Sequence, residues 1–170
     1  MRWAFDRYDW SALGADRLPA WIAELAACRD HDRANLIMCD VEAETVPVNG
    51  PPRPAATAAA ACLVQALPTA AAREEILVLL TTMAVAGVAD AELRREVSWG
   101  LPVYAEIAET GTVGERGSCV DLLSCCTRYG GEVGRRSVDL LRRMADFGGP
   151  FADSVAVELA DLAKDGHITA

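Results

Sequence analysis

Two carboxylates four positions apart, Asp40 and Glu44, are the side chains of this chain whose types and spacing best suit acid–base chemistry. If one helix carries both, they lie on the same face of that helix. Like charges that close push their two pKa values apart, which suits one of the pair to act as a general base. The alternative is that the helix ends at Asp40 and both acids belong to a solvated loop. We treat them as the candidate catalytic residues of an enzyme.

A second candidate site surrounds Pro102, where Trp99, Tyr104 and Glu106 lie close together in the sequence. Aromatic walls beside a carboxylate suit a cationic or stacked ligand. The alternative is that the aromatic side chains belong to the hydrophobic core. We predict that these three residues contribute to binding a ligand or a partner.

The six cysteines do not have the spacing of a metal site. No CxxC motif is present, and only His31 and His167 could complete a zinc site, so we expect no metal, no cofactor and free thiols. Cys119 and Cys126 fall on apolar helix positions and are predicted to be small buried hydrophobes. A catalytic thiol needs a nearby base, and no motif places a histidine beside Cys125.

The charge balance limits the classes of partner. The chain has 170 residues, the size of one domain, and a net charge of −9, with 9 basic against 16 acidic side chains in residues 1–112. An acidic surface disfavours binding to a phosphate backbone, so nucleic acid is not expected. A protein partner, especially a basic one, another subunit or a small molecule fits better.

We find no apolar run long enough to span a membrane and no signal peptide, and we expect a cytoplasmic protein.

Glycine and proline breaks divide the chain into helices, and no segment has the alternating pattern of a strand. Asp16, Asp30 or Asp32, and Asp90 are the predicted N-caps. The helix that Asp90 begins is predicted to be interrupted at Gly100-Leu101-Pro102, with a kink at Pro102, and residues 44–54 form the clearest loop. Helices are predicted near residues 18–26, 32–43, 55–67, 70–86, 90–109, 115–129, 131–147 and 150–165. Residues 1–14, with Trp3, Phe5, Tyr8 and Trp10, are predicted to cap the first helices or, alternatively, to dock a partner.

A weak repeat relates three of these helices. Arg33, Arg73 and Arg116 lie 40 and 43 residues apart, and apolar residues follow each of them at matching offsets. A period near 40 with two helices per unit is typical of HEAT and armadillo proteins. The seventh position after each arginine holds Asp40, Leu80 and Leu123, so Asp40 is predicted on a core column. It should be half-buried, with a raised pKa.

The chain resembles a family of small bacterial HEAT-like repeat proteins over most of residues 10–129. The resemblance rests on WSALG at 10–14, RPAATA at 53–58, REEILVLL at 73–80 and GLPVY at 100–104. It implies an all-α solenoid of about four antiparallel helix pairs in one domain, 1–170. The last two helices fit the repeat less well, so residues 131–170 are predicted to be C-terminal capping helices. Members of the family often carry His-Gln-Gly in the first long loop. Val46, Pro47 and Val48 stand there instead, so no role of that tripeptide transfers.

Fold alone does not select a function, because relatives of this fold include binding scaffolds, toxin-immunity proteins, DNA glycosylases and accessory proteins of natural-product pathways. Our first prediction is a non-enzymatic protein–protein interaction scaffold of the immunity or accessory type that binds its partner on a concave face. A cofactor-free enzyme, or a subunit of one, in natural-product biosynthesis is the alternative, with Asp40 and Glu44 in the groove. The glycosylase function is disfavoured by acidity. The predicted binding residues are Trp99, Tyr104, Glu106, Thr82, Asp121 and Arg128.

Overall fold

The computed structural model describes residues 2–48, 50–146 and 150–166, and the side chains of 2, 3, 150 and 151 are not considered. Every regular element in these ranges is a helix, and none is a strand, which confirms the all-α prediction. The chain divides into two compact units, unit 1 (Met1–Val103) and unit 2 (Tyr104–Ala170). Within the described ranges, no helix combines the length and the apolar character needed to cross a bilayer.

The helices follow the glycine and proline breaks closely. Short 3₁₀ turns at Leu67–Thr69 and Gly87–Ala89 follow the fourth and fifth helices. The α-helices are α1 (Arg2–Phe5), α2 (Leu18–Ala27), α3 (His31–Thr45), α4 (Ala56–Ala66), α5 (Arg73–Ala86), α6 (Ala91–Trp99), α7 (Leu101–Thr110), α8 (Val113–Thr127), α9 (Gly131–Asp146) and α10 (Pro150–Lys164).

Unit 1 is organised around α4. This alanine-rich helix is buried on nearly all sides, with only Thr57 and Gln65 half-exposed, as expected for a helix that is apolar all round. Alanine is the best helix former, and its short side chain lets neighbouring helices approach closely. Helices α1, α2, α3, α5 and α6 all contact α4.

Two of the predicted N-caps are confirmed and one is wrong. The Asp30 carboxylate accepts a hydrogen bond from the Arg33 amide (2.9 Å) at the start of α3, and Asp90 caps α6 in the same way. Asp16 does not cap α2, because that helix begins one residue later, after Arg17, without any side-chain cap. The Asp16 carboxylate instead accepts a hydrogen bond from the Ser11 hydroxyl.

Helix α3 runs through Asp40 and Glu44, so the predicted loop start at residue 44 is slightly early. The buried side of α3 is a narrow stripe, which consists of Ala34, Ile37, Val41 and Thr45. Asp40 lies beside this stripe and is exposed, so its predicted half-burial on a core column is wrong. The reason is that α3 packs against α2, α4 and α5 through this one stripe, whereas α5 is buried on a wider face.

The predicted interruption at residues 100–102 is confirmed, but it is a break between two helices and not a kink at Pro102 within one helix. Helix α6 ends at Trp99, Gly100 caps it, and α7 begins at Leu101. Pro102 therefore occupies the first turn of a new helix, where its missing N–H group costs no hydrogen bond.

Unit 2 consists of most of α7 with α8, α9 and α10, and the last three helices pack against one another. A capping box begins α8, in which the Thr112 hydroxyl and the Glu115 carboxylate each accept a hydrogen bond from the other residue's amide.

Two glycines of unit 2 are required by the backbone. Where α9 meets α8, a Cβ atom on Gly134 would lie 2.8 Å from the Thr127 carbonyl oxygen, so only glycine permits this approach. Gly130 has φ +67°, as expected of a glycine that ends a helix, and Gly148 and Gly149 lie outside the described residues.

Candidate functional site

Unit 1 contains an open cavity of about 630 Å³. Two helices supply most of its wall, and the segment after α1, the turn after α4 and the start of α7 supply the rest. Its lining residues are Arg7, Ala61, Val64, Gln65, Pro68, Arg95, Glu96, Trp99 and Val103. All of them belong to unit 1, so the cavity is a property of that unit alone.

Helical periodicity explains which side chains reach the cavity. On α4 the lining positions are 61, 64 and 65, and on α6 they are 95, 96 and 99. Residues three and four apart share one face of a helix, so each helix presents a single face to the cavity. Because α4 and α6 pack against each other, the two lining faces belong to one site.

The cavity holds two guanidinium groups, and their environments differ. Arg95 lies 3.0 Å from the Glu96 carboxylate, so its charge is compensated. Arg7 has no carboxylate within ion-pair distance among the described residues, and its guanidinium lies 5.7 Å from the centre of the Tyr8 ring. Arg7 therefore brings an uncompensated positive charge to the cavity.

Gln65 is the polar residue on the α4 side of the cavity. Its side-chain oxygen is buried and accepts no hydrogen bond from any described residue. A buried polar atom without a partner is unfavourable by about 1–3 kcal/mol. Rotation of the terminal amide, whose torsion is soft, would allow a donor bound in the cavity to satisfy this oxygen.

Trp99 stands at the C-terminal end of α6 with 71% of its surface exposed. An exposed indole is unusual in a chain whose other described large aromatics are buried or half-buried. Tryptophan supplies a flat apolar face and one N–H donor, a combination that is enriched at binding sites. Trp99 can therefore act as an aromatic wall for a bound molecule.

Burial controls the titratable groups near the cavity. It raises the pKa of Cys62 to about 12, and the Arg7 guanidinium opposes that shift only weakly. Burial also raises the pKa of Tyr8; Arg7 and Arg95 act against this shift, and Glu96 reinforces it. Both groups remain protonated near neutral pH, so neither the thiol nor the phenol supplies a nucleophile there.

The predicted catalytic pair lies elsewhere. Asp40 is exposed on α3, and Glu44 is half-buried and forms an ion pair with Arg53 (3.1 Å). The two carboxylates are one turn apart on a continuous helix, so the alternative in which the helix ends at Asp40 is wrong. Neither of them lines the cavity.

Of the residues predicted around Pro102, Trp99 lines the cavity of unit 1. Tyr104 belongs to unit 2 and is completely buried, which raises its pKa well above the usual value. It is therefore a core residue, which is the alternative that the sequence left open, and it does not line the cavity. Glu106 is exposed in unit 2.

The remaining predicted binding residues are distributed over both units. Thr82 in unit 1 is half-buried, and its hydroxyl donates to the Val78 carbonyl (3.4 Å) on its own helix. Asp121 lies on α8 and Arg128 is the C-cap of that helix, and both residues are exposed in unit 2. Partial burial raises the pKa of Asp121, and the nearby Glu158 carboxylate reinforces that shift.

One polar pair in unit 1 has no counterpart in the sequence analysis. His31 Nδ1 lies 2.6 Å from Glu75 Oε1, and the Asn35 amide nitrogen lies 3.1 Å from His31 Nε2. Glu75 is buried, whereas the His31 side chain is 69% exposed. The pair joins the start of α3 to the first turn of α5. His167 lies outside the described residues.

Sequence reasoning missed Arg7, Gln65 and Arg95 as members of a site. For Gln65 the signal was a polar residue on the apolar helix α4, but this does not indicate which helix faces it. Arg95 lies on the charged helix α6 and Arg7 in a turn after α1, so local spacing marks neither of them. Among the described residues, no cluster of three or more histidine, cysteine or acidic side chains has the arrangement of a metal site.

No protein-family model, curated protein or solved structure matches this chain.

Proposed function

We propose that this protein is a non-enzymatic binding protein whose unit 1 cavity takes a small, flat, largely apolar molecule. The observation that carries the proposal is the lining of the cavity, in which apolar side chains and one exposed indole surround a few polar groups. Ligand sites typically have volumes of roughly 300–1,000 Å³ and this kind of lining. At about 630 Å³, the cavity has room for a bicyclic aromatic compound.

Like the first prediction from the sequence, this proposal describes a non-enzymatic binding protein. It differs in that the bound partner is a small molecule and not a protein. A protein partner on a concave face remains the second candidate. The exposed Val78 and Val85, one turn on either side of Thr82 on α5, support it. Residues 1–103 carry nine arginines and fourteen carboxylates, so a basic partner would be favoured.

We also propose that the helices follow a HEAT-like repeat of about four pairs. Matching buried positions on α5 and α8 support this, since both helices bury the same four columns 43 residues apart. These columns are Ile76 and Cys119, Leu79 and Leu122, Leu80 and Leu123, and Met83 and Cys126. The enzyme alternative has less support, because Asp40 is exposed and Glu44 is paired with Arg53.

The test uses an uncharged bicyclic probe, 2-naphthamide, and measures its dissociation constant by calorimetry. Saturable binding to the full chain is expected. Trp99→Ala should weaken it about threefold to tenfold, the usual value of one aromatic contact. Because Trp99 is largely exposed, the variant should keep its thermal stability.

The matched control is Leu36→Ala, which removes another exposed apolar side chain (62% exposed) of unit 1 that does not line the cavity. This variant should bind the probe as the wild type does. Absence of saturable binding up to millimolar probe, or equal weakening by both variants, would contradict the proposed function.

A further inference from the structure

We infer that the ligand of this cavity is an aromatic monocarboxylate, held by its carboxylate on Arg7 and by its ring on Trp99. The inference rests on the proposed function and adds the chemical class of the ligand. The first observation that supports it is the net charge of the cavity lining. Arg7, Arg95 and Glu96 together leave one positive charge in a unit whose carboxylates outnumber its arginines.

The geometry of Arg7 leaves its donors available. Its guanidinium carbon lies 5.7 Å from the centre of the Tyr8 ring, a cation–aromatic contact that uses none of the N–H groups. Arg7 forms no hydrogen bond or ion pair with a described side chain, so its N–H groups can bind two oxygens of a ligand at once. A carboxylate matches this planar fork, and such charged, paired hydrogen bonds are among the strongest in proteins.

The neighbouring ion pair selects against more highly charged ligands. Arg95 is compensated by Glu96 at 3.0 Å and does not offer a second free cation. The Glu96 carboxylate lines the same cavity and would repel a second negative group on the ligand. A phosphate dianion is therefore disfavoured relative to a monoanion.

The other residues that line the cavity explain why the ligand should carry an aromatic ring. Ala61, Val64, Pro68 and Val103 provide apolar contact, and Trp99 provides a flat wall. An aromatic ring buries apolar area against such a wall and also gains from stacking. The unsatisfied Gln65 oxygen would favour ligands that carry one hydrogen-bond donor on the ring.

The experiment compares two probes of nearly the same shape, 2-naphthoate and 2-naphthamide, by calorimetry at pH 7.5. The wild-type chain should bind the acid at least tenfold more tightly than the amide. Arg7→Gln should lose about tenfold or more in affinity for the acid, because a charge-assisted contact is lost. Its affinity for the amide should fall much less than its affinity for the acid, because the amide carries no charge for Arg7 to bind.

Arg17→Gln is the matched control. Arg17 is also exposed in the N-terminal segment, and its guanidinium also lies near an aromatic ring, 6.0 Å from the centre of Trp21. It does not line the cavity, yet its substitution changes the net charge by the same amount. This variant should bind both probes as the wild type does, which separates a direct contact from the overall charge.

Each contrary outcome has a distinct meaning. If the amide binds and the acid binds no more tightly, the carboxylate inference is wrong and the proposed function stands. Equal losses in Arg7→Gln and Arg17→Gln would also overturn the inference, because only net charge would matter. If the amide shows no saturable binding to the wild-type chain, the proposed function fails, and the inference that rests on it fails too. Unchanged thermal unfolding of both variants checks that each remains folded.

Discussion

At the scale of single residues, the same side chain has different roles according to what surrounds it. Arg33 forms an ion pair with Glu24 (2.6 Å) on the surface, whereas Arg116 donates to the Ala108 carbonyl (3.0 Å). Arg7 forms no ion pair with a described residue, and its guanidinium lies 5.7 Å from the centre of the Tyr8 ring. Residue type alone therefore did not distinguish a surface ion pair, a backbone contact and a candidate anchor for a ligand.

The pair of His31 and Glu75 leads to a prediction about stability. A buried carboxylate is unfavourable unless it has a partner, and the His31 ring is the partner that Glu75 has. We expect His31→Ala and Glu75→Ala to be coupled by about 1 kcal/mol in a double-mutant cycle, a value kept small because the histidine is largely exposed. Urea unfolding of the two single variants and the double variant measures this coupling.

The conservative variant Glu75→Gln refines the test. Its amide oxygen can still accept the hydrogen bond from His31 Nδ1, so it should lose less stability than Glu75→Ala. Strictly additive effects of His31→Ala and Glu75→Ala would show that the short contact contributes nothing to stability.

At the scale of helices, capping separates two aspartates that look alike in sequence. Asp30→Ala removes an N-cap and should lower the free energy of unfolding by about 1 kcal/mol. Asp16→Ala, the matched control, removes an exposed aspartate that caps no helix and should change it by less than about 0.5 kcal/mol. Chemical denaturation of both variants measures the difference, and equal losses would contradict the assignment of the caps.

The register of α3 shows why the repeat misplaced Asp40. Aligning the arginines pairs position 40 with Leu80, but the buried residues of α3 align one position later. Ile37 then matches Ile76, and Val41 matches Leu80. Arginines are poor markers of register because they lie at the surface and bind different partners, whereas buried apolar positions are fixed by packing.

At the scale of the whole molecule, buried thiols make stability depend on alkaline pH. Burial raises the pKa of Cys62, Cys119 and Cys126 from 9.0 to about 12, and it raises that of Tyr104 in the same direction. The folded chain keeps these protons up to about pH 12, whereas the unfolded chain releases thiol protons near pH 9. Stability is therefore fully present below about pH 9 and is lost as the pH rises towards 12.

Each buried thiol should contribute a slope of up to about 1.4 kcal/mol per pH unit in that window. Urea midpoints measured between pH 8 and 11 test this expectation. Cys119→Ala should reduce the slope, whereas Cys39→Ala, at an exposed position, should leave it unchanged. A midpoint that stays constant up to pH 11 would contradict the burial of these thiols.

The sequence by itself determined the helical class, the breaks between helices, the caps at Asp30 and Asp90, and the buried columns of α5 and α8. These features depend on residues within about one helical turn of each other, so local periodicity and breaker residues carry the information. The burial of Cys119 and Cys126 was predictable for the same reason.

Tertiary structure alone decided the site. The cavity exists because α4 packs against α6 and because the segment after α1 brings Arg7 to them. The contact between His31 and Glu75 joins residues 44 positions apart. Which helices meet depends on how complete apolar faces pack, and many pairings satisfy the same local pattern. For that physical reason Arg7 and Gln65 could not be assigned to one site before the helices were in place.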